Sequence, residues 1–249
     1  MKKTFELGTG IFGSGLPKIC VPIVAADQEE IWRMAEKIAE LPVDLAEWRA
    51  DFYRDIFIKE RMLETLEGLK RRLEKKALLF TFRTKGEGGE LPVEEEVYYE
   101  LNRMAAASGH TDLVDVEVFL AEERTAEEIQ KIQETGCHVI ASNHDFQKTP
   151  PVEELVRRLR RMEVLGADVA KLAVMPQDRQ DVLDLLQASL TADEELKIPV
   201  VTISMGSLGA VSRITGKLTG SAMTFASVGE SSAPGQIPVS GMTELLEII

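Results

Sequence analysis

Residues 169–174 read VAKLAV and lie between Gly166 and Pro176. A short apolar run with such boundaries predicts a strand that is buried on both faces of a parallel sheet. Lys171 lies in the middle of this run. Because a buried strand offers no water to an ammonium group, we expect one of three arrangements for Lys171. It has a dedicated partner, it is held partly neutral as a nucleophile, or its tip reaches water at the strand end.

The preceding strand-like run, residues 137–144, reads CHVIASNH and ends on His144. Neighbouring strands lie about 4.8 Å apart, so His144 can reach a group that is bonded to Lys171. A lysine amine can condense with a ketone to give an iminium, which acidifies the adjacent carbon. Histidine titrates near neutral pH and can both remove and deliver a proton. The pair therefore indicates Schiff-base chemistry with proton transfer next to a carbonyl group.

The rest of the chain alternates strand-like and helical segments around this pair. Eight apolar runs predict strands, at residues 18–24, 43–49, 77–83, 113–118, 138–144, 169–174, 198–205 and 222–227. A segment with helical periodicity follows each run, the seventh around residues 208–215. This order in 249 residues predicts one α/β domain, residues 1–249, folded as a (β/α)8 TIM barrel. Residues 1–16 are rich in glycine and alternate weakly, which predicts a short β-hairpin ahead of the barrel.

Composition limits the partners. Lys and Arg number 29 against 42 for Asp and Glu, a formal net charge of −13, which argues against nucleic acid or an anionic membrane surface. Cys20 and Cys137 lie in apolar runs, which predicts reduced core cysteines and a cytoplasmic location. No apolar run approaches the length of a membrane span. No His, Cys or carboxylate cluster has metal-ligand spacing, so we expect no metal.

Charged residues collect where the predicted strands end, which is where the active sites of such barrels lie. They are Glu47 and Arg49 on the second strand, Arg83 on the third, Asp115 and Glu117 on the fourth, and Arg213 beyond the seventh. The arginines can favour a neutral amine by like-charge repulsion and can hold a carboxylate. Together with Lys171 and His144, the set predicts a carbonyl substrate that also carries a carboxylate and hydroxyl groups and loses a proton next to the carbonyl.

With these residues in place, the chain resembles the type I 3-dehydroquinate dehydratases. The shared motifs run in order along nearly the whole chain: EWR at 47–49, RxxxEGG at 83–89, SNHDF at 142–146, the Lys171 strand, SMG at 204–206, SR at 212–213, GS at 220–221 and SAPGQ at 232–236. The resemblance implies a barrel whose hairpin closes the bottom, a homodimer, and no metal or organic cofactor. It also implies the elimination of water from 3-dehydroquinate to give 3-dehydroshikimate, in the shikimate pathway.

The resemblance further implies roles for individual residues. Lys171 forms the Schiff base, His144 moves protons as general acid and base, and Glu87 orients His144. The substrate is held by Glu47, Arg49, Arg83, Arg213, Ser232 and Gln236, with Arg213 on its carboxylate. The sequence departs from the family pattern at Pro22, where a serine hydroxyl can occur, and at Ile203, where a methionine is expected.

Two other functions use the same features. A Schiff-base aldolase on this fold would use the same lysine to cleave a carbon–carbon bond, and would need a phosphate-binding glycine loop after the seventh or eighth strand. A non-catalytic barrel that binds a small carboxylate would need no neutral lysine.

Overall fold

The computed structural model describes residues 3–8, 10–120, 122–228 and 235–248. The strands are β1 (Phe5–Leu7), β2 (Gly10–Phe12), β3 (Lys18–Ile23), β4 (Leu45–Arg49), β5 (Ala77–Thr81), β6 (Leu113–Glu117), β7 (His138–Asp145), β8 (Val169–Val174), β9 (Val200–Ser204), β10 (Met223–Ser227) and β11 (Ile237–Pro238). The helices are α1 (Gln28–Ala39), α2 (Lys59–Leu73), α3 (Glu95–Ala107), α4 (Glu122–Gln133), α5 (Val152–Val164), α6 (Arg179–Glu195), α7 (Gly216–Thr219) and α8 (Val239–Ile248). Within the described ranges, no helix combines the length and the apolar character needed to cross a membrane.

Strands β3 to β10 form a curled parallel sheet in which chain order is also spatial order, except that β10 returns to pair with β3. The sheet closes between β9 and β10 through a parallel bridge from Val200 to Ser221, beside which the Ala222 amide donates to the Val200 carbonyl at 2.8 Å. A helical segment follows each of the eight strands. The predicted (β/α)8 TIM barrel is therefore confirmed.

Alternation along β8 explains how a lysine lies inside this barrel. Val169 and Ala173 pack into the apolar cluster inside the sheet, whereas Ala170 and Leu172 pack into the larger cluster between the sheet and the helices. Side chains two apart share a face, so Lys171 points inward with Val169 and Ala173. All six residues of the strand are buried, and its observed bounds are the predicted ones.

The N-terminal hairpin covers the end of the barrel where the strands begin. Strands β1 and β2 pair antiparallel, with Phe5 opposite Phe12 and Leu7 opposite Gly10. Leu7 and Phe12 are buried in the same cluster as Leu45 and Leu113, which start their strands. The hairpin therefore fills the bottom of the barrel, as predicted, and leaves the other end open for the polar residues.

The segment after β9 differs from the predicted helix at 208–215. It consists of a 3₁₀ turn at Ala210–Arg213 followed by the short helix α7. Gly209 permits this path, because a Cβ there would lie 2.2 Å from the backbone oxygen of Ser204. The chain thus turns tightly against the end of β9 at a position where only a residue without a side chain fits.

Candidate active site

A cavity of about 260 Å³ opens at the C-terminal ends of the barrel strands. Eight of the nine residues that the sequence nominated line it: Glu47, Arg49, Arg83, Glu87, His144, Lys171, Arg213 and Gln236. The ninth, Ser232, lies outside the described residues. The remaining lining residues are Pro22, Phe52, Gly88, Glu90, Phe146, Ala173, Ile203, Met205 and Phe225. The cavity therefore combines a charged floor with an apolar wall.

Lys171 has a dedicated partner inside the barrel, the first of the three arrangements expected for it. Its Nζ donates to Asp115 Oδ2 at 3.0 Å and lies 3.8 Å from Glu47 Oε1. The ring of Phe225 lies below it, with 4.9 Å between Nζ and the ring centroid. The lysine is only 3% exposed, so its amine meets the cavity and little bulk water.

Asp115 is the centre of a buried charge network that the sequence did not assign. Its Oδ1 accepts from Arg83 at 2.8 Å and from the Ser142 hydroxyl at 2.6 Å. Burial alone would raise the pKa of Asp115, but the cationic groups of Arg83 and Lys171 hold it well below the ordinary aspartate value. Asp115 is therefore ionised at neutral pH. Strand alternation puts it on the inner face, but only the closed barrel brings it to Lys171, two strands away.

Arg83 holds the floor of the cavity together. Besides Asp115, its guanidinium donates to Glu117 Oε1 at 2.9 Å and to Ser142 Oγ at 3.0 Å. Despite its burial, these carboxylates raise the pKa of Arg83 well above the usual arginine value, so its charge is permanent. The guanidinium of Arg83 thus donates to side chains of the protein, and these contacts fix it in the floor of the cavity.

Glu87 and His144 form a hydrogen-bonded pair beside this floor. Glu87 ends a 3₁₀ turn, Lys85–Glu87, and its Oε2 lies 2.9 Å from His144 Nδ1 and accepts from the His144 backbone N–H at 2.9 Å. When Glu87 is ionised its carboxylate only accepts hydrogen bonds, so in that state Nδ1 carries the proton and Nε2 is free to exchange protons. This geometry is the one that the predicted orienting role of Glu87 requires.

Burial disfavours the charged form of both groups. It raises the pKa of Glu87 to about 8, although Arg83 acts in the opposite direction, so Glu87 becomes an ionised acceptor in the slightly alkaline range. Burial, together with repulsion from Arg83 and Lys171, lowers the pKa of His144 well below its ordinary value. The imidazole is therefore uncharged at neutral pH, and once Glu87 ionises its Nε2 can accept a proton, as a general base must.

Arg49 is fixed by a residue that the sequence reasoning missed. Asp51 accepts from Arg49 Nε and Nη2, each at 2.9 Å, and also from the backbone N–H groups of Arg83 and Glu90. The Arg49 guanidinium lies 5.0 Å from the ring centroid of Phe52. The sequence signal for this contact was a carboxylate two residues after an arginine at a strand end. The 3₁₀ turn at Ala50–Phe52 brings the two side chains together.

Arg213 lies on the opposite side, in the 3₁₀ turn after β9. Ser212 shapes this turn, accepting from the Ser204 N–H at 2.9 Å and donating to the Gly209 carbonyl at 2.8 Å. Burial lowers the pKa of Arg213 to about 10, so the side chain is still a cation at neutral pH. A buried cation at a cavity wall suits a ligand carboxylate.

The two departures from the family pattern both face the cavity. Pro22 and Ile203 are lining residues on β3 and β9. Proline has no side-chain hydrogen-bonding group, so this part of the wall is apolar. Neither residue belongs to the hydrogen-bonded network around Lys171 and His144 described above.

The chain is similar to known proteins in both sequence and fold. A family model described as type I 3-dehydroquinase matches residues 19–249. The 3-dehydroquinate dehydratase of Listeria monocytogenes serotype 4b is 44% identical over 238 residues, covering 96% of this chain and 94% of that one. The crystal structure of 3-dehydroquinate dehydratase from Geobacillus kaustophilus superposes with a TM-score of 0.95 at 42% identity, covering 99% of this chain and 96% of that one.

A second solved structure that is similar to this chain contains a covalently modified ligand. It is the type I 3-dehydroquinate dehydratase from Clostridium difficile with covalently modified comenic acid. It has a TM-score of 0.96 and 39% identity, covering 100% of this chain and 98% of that one.

Proposed function

Because this chain belongs to the type I 3-dehydroquinase family, we propose that Lys171 is the amine that forms the Schiff base of its reaction, with His144 as the general acid and base and Glu87 as the residue that orients it. The reaction is the dehydration of 3-dehydroquinate to 3-dehydroshikimate, a step of the shikimate pathway, and the enzyme is a hydro-lyase. This membership decides against the aldolase and the non-catalytic barrel.

The observation that carries the assignment is the position of one amine. Among the described residues, Lys171 is the only lysine that lines the cavity. It is opposite Ser142 in the register of β7 and β8, and His144 is opposite Ala173, one inward-facing position nearer the cavity mouth. A ketone carbon bonded to Nζ therefore has the imidazole beside it, on the side from which substrate enters.

The chemistry follows from this pair. Lys171 passes a proton to His144, and the resulting amine adds to the ketone. His144 then returns this proton, and with a second proton from the nitrogen the former carbonyl oxygen leaves as water. The resulting iminium acidifies the neighbouring CH₂, and His144 removes one of its protons to give an enamine. The enamine expels the β-hydroxyl group, which leaves as water after protonation by His144. Hydrolysis of the conjugated iminium then releases product and restores the lysine.

The remaining nominated residues hold the substrate in this proposal. Arg213, a buried cation across the cavity, binds the carboxylate, and Glu47, Arg49 and Gln236 bind hydroxyl groups. For Arg83, the bonds to Asp115 and Glu117 support an indirect role, in which it keeps Asp115 ionised and holds both carboxylates in place. The role of Ser232 stays a prediction, since this residue lies outside the described ranges.

Borohydride trapping tests the assignment of Lys171. Reduction during turnover converts the iminium into a stable secondary amine, so we expect covalent inactivation that requires 3-dehydroquinate. A modified lysine resists trypsin, so the adduct should appear on the uncleaved peptide 162–179. Enzyme treated with borohydride alone is the control. An adduct on any other lysine would overturn the proposal.

Gln236 provides a separate test of substrate binding. Its hydrogen bonds hold the ground state and the transition state alike, so Gln236→Ala should raise KM about tenfold while kcat changes little. Gln177→Ala is the matched control, because Gln177 lies beyond the end of β8 and donates to the Gln147 carbonyl outside the cavity. A lower kcat with unchanged KM in Gln236→Ala would assign the glutamine to the chemical steps.

We also infer that residues 1–249 form one barrel domain and that the enzyme works as a homodimer in the cytoplasm, without nucleic acid or membrane partners. The family resemblance supports the homodimer. The net charge of −13 supports the absence of anionic partners, and the buried free thiols of Cys20 and Cys137 suit a reducing compartment.

A further inference from the structure

A chain of hydrogen bonds runs from the outer helix α5 to the His144 ring. Arg158 on α5 donates through Nη1 to Asn143 Oδ1 at 2.9 Å. Asn143 Nδ2 in turn donates to Glu87 Oε1 at 3.0 Å, and the other oxygen of Glu87 faces His144 Nδ1 at 2.9 Å. Neither Arg158 nor Asn143 lines the cavity.

From these contacts we propose that Arg158, acting through the Asn143 amide, is the positioning residue that fixes the Glu87 carboxylate and thereby the working tautomer of His144. The inference rests on the proposed roles of His144 and Glu87. It adds two residues that neither touch the substrate nor belong to the lysine–histidine–glutamate set.

The first step of the argument is the orientation of the amide. A guanidinium only donates hydrogen bonds, so the group facing Arg158 must be the Asn143 carbonyl oxygen. The NH₂ group then faces Glu87. A flipped amide would set its NH₂ against the guanidinium, and this clash persists even when Glu87 is protonated. Arg158 therefore keeps a donor directed at Glu87 in both protonation states.

The second step is the anchoring of Arg158 itself. Glu154, one turn earlier in α5, accepts from Arg158 Nε at 2.8 Å. The Arg158 side chain is 20% exposed and Asn143 is 8% exposed, so the bond between them is largely shielded from water. The helix thus holds the guanidinium at a fixed distance from the end of β7.

The third step connects this geometry to proton transfer. Glu87 faces Arg83 from the segment just after β5, Asp115 and Glu117 from β6, and Asn143 and His144 from β7. The two β6 carboxylates disfavour its ionised form, whereas Arg83 and the Asn143 amide favour it. With Glu87 ionised, His144 keeps its proton on Nδ1 and offers a basic Nε2 to the reaction. A protonated Glu87 could instead donate to Nδ1, which would leave the proton on Nε2 and remove the base.

The test compares kcat, KM and the pH profile of kcat/KM between Arg158→Met and Arg157→Met. Arg157 is the neighbouring arginine of α5 and also bonds Glu154, but Arg158 is the one bonded to Asn143, so the control removes equal charge from the same helix. For Arg158→Met we expect kcat to fall on the order of tenfold, the scale of losing an orienting partner, with KM nearly unchanged. The acidic limb of kcat/KM should move to higher pH by about one unit. Arg157→Met should match the parent enzyme.

Two further variants separate positioning from mere structure. Asn143→Asp keeps an ion pair with Arg158 but directs a second carboxylate at Glu87, so it should lose more activity than Arg158→Met and shift the acidic limb further. Arg158→Lys keeps a donor-only cation and should retain most of kcat. Should Arg158→Met fail to fold, these two variants decide the question by the same readouts.

The inference is overturned if Arg158→Met behaves like Arg157→Met, or if Asn143→Asp retains near-parent kcat with an unshifted profile. The failure of the underlying function would look different. In that case His144→Ala itself would keep its turnover. If His144→Ala loses turnover but the Arg158 and Asn143 variants show no effect, only the positioning role of Arg158 and Asn143 is rejected.

Discussion

Lys171→Met should abolish the formation of 3-dehydroshikimate, with a loss of at least about 10⁴-fold in kcat, the scale of removing a covalent nucleophile. No iminium can form without the amine, and the other described lysines lie outside the cavity. The fold is expected to survive, since Asp115 keeps Arg83 and Ser142 as partners. The measurement is the growth of the conjugated enone absorbance of the product, after circular dichroism has verified the fold.

Lys76→Met is the matched control for this substitution. Lys76 also has its amine bound within the protein, donating to the carbonyls of Leu41 and Val43 at 2.7 and 2.8 Å, but it precedes β5 at the opposite end of the barrel. It should retain kcat. Turnover within tenfold of the parent in Lys171→Met would remove the Schiff base from this residue.

His144→Ala should lower kcat by about 10²–10⁴-fold, the usual contribution of a general acid and base, yet it should still be labelled covalently by substrate and borohydride. The amine of Lys171 remains, so the carbon–nitrogen bond can form slowly while the proton transfers are lost. The two readouts together separate bond formation from proton transfer. A variant that neither turns over nor traps substrate would contradict this expectation, because His144 would then be required for forming the iminium itself.

The same strand offers the control. His138 begins β7 at the other end of the barrel, where its ring stacks on Phe5 at a centroid distance of 3.8 Å. His138→Ala changes the same residue type on the same strand, and we expect kcat to stay near that of the parent. Comparable losses in both variants would mean that the effect is one of strand stability.

The fold could be read from the sequence because its signals are local. The run at 169–174 has the length, the boundaries and the apolar composition of a buried strand, and β8 has the same bounds. The region after β9 could not be predicted in this way. Its conformation depends on the close approach of Gly209 to the Ser204 carbonyl, and such a contact leaves no periodic pattern in the sequence.

The residues of the site could be predicted from the sequence, but several contacts between them could not. Strand ends and family motifs were sufficient to nominate Lys171, His144 and the cavity-lining arginines. They could not reveal that Asp115 is the partner of Lys171, because the two lie two strands apart and meet only in the closed barrel. The bond from Arg158 to Asn143 depends on how α5 packs over the sheet, which neither propensity nor spacing predicts.

The apolar wall of the cavity has a consequence for inhibitor selectivity. A competitive inhibitor that points a hydroxyl group at Pro22 gains no hydrogen bond from that side chain, and it forfeits the bonds that the hydroxyl made to water. A methyl group in the same place loses nothing on leaving water and gains contact with the proline ring. Inhibitors optimised on relatives with a serine at this position should therefore bind this enzyme more weakly than those relatives. Analogues with a methyl group in place of the hydroxyl should bind this enzyme more tightly than the relatives.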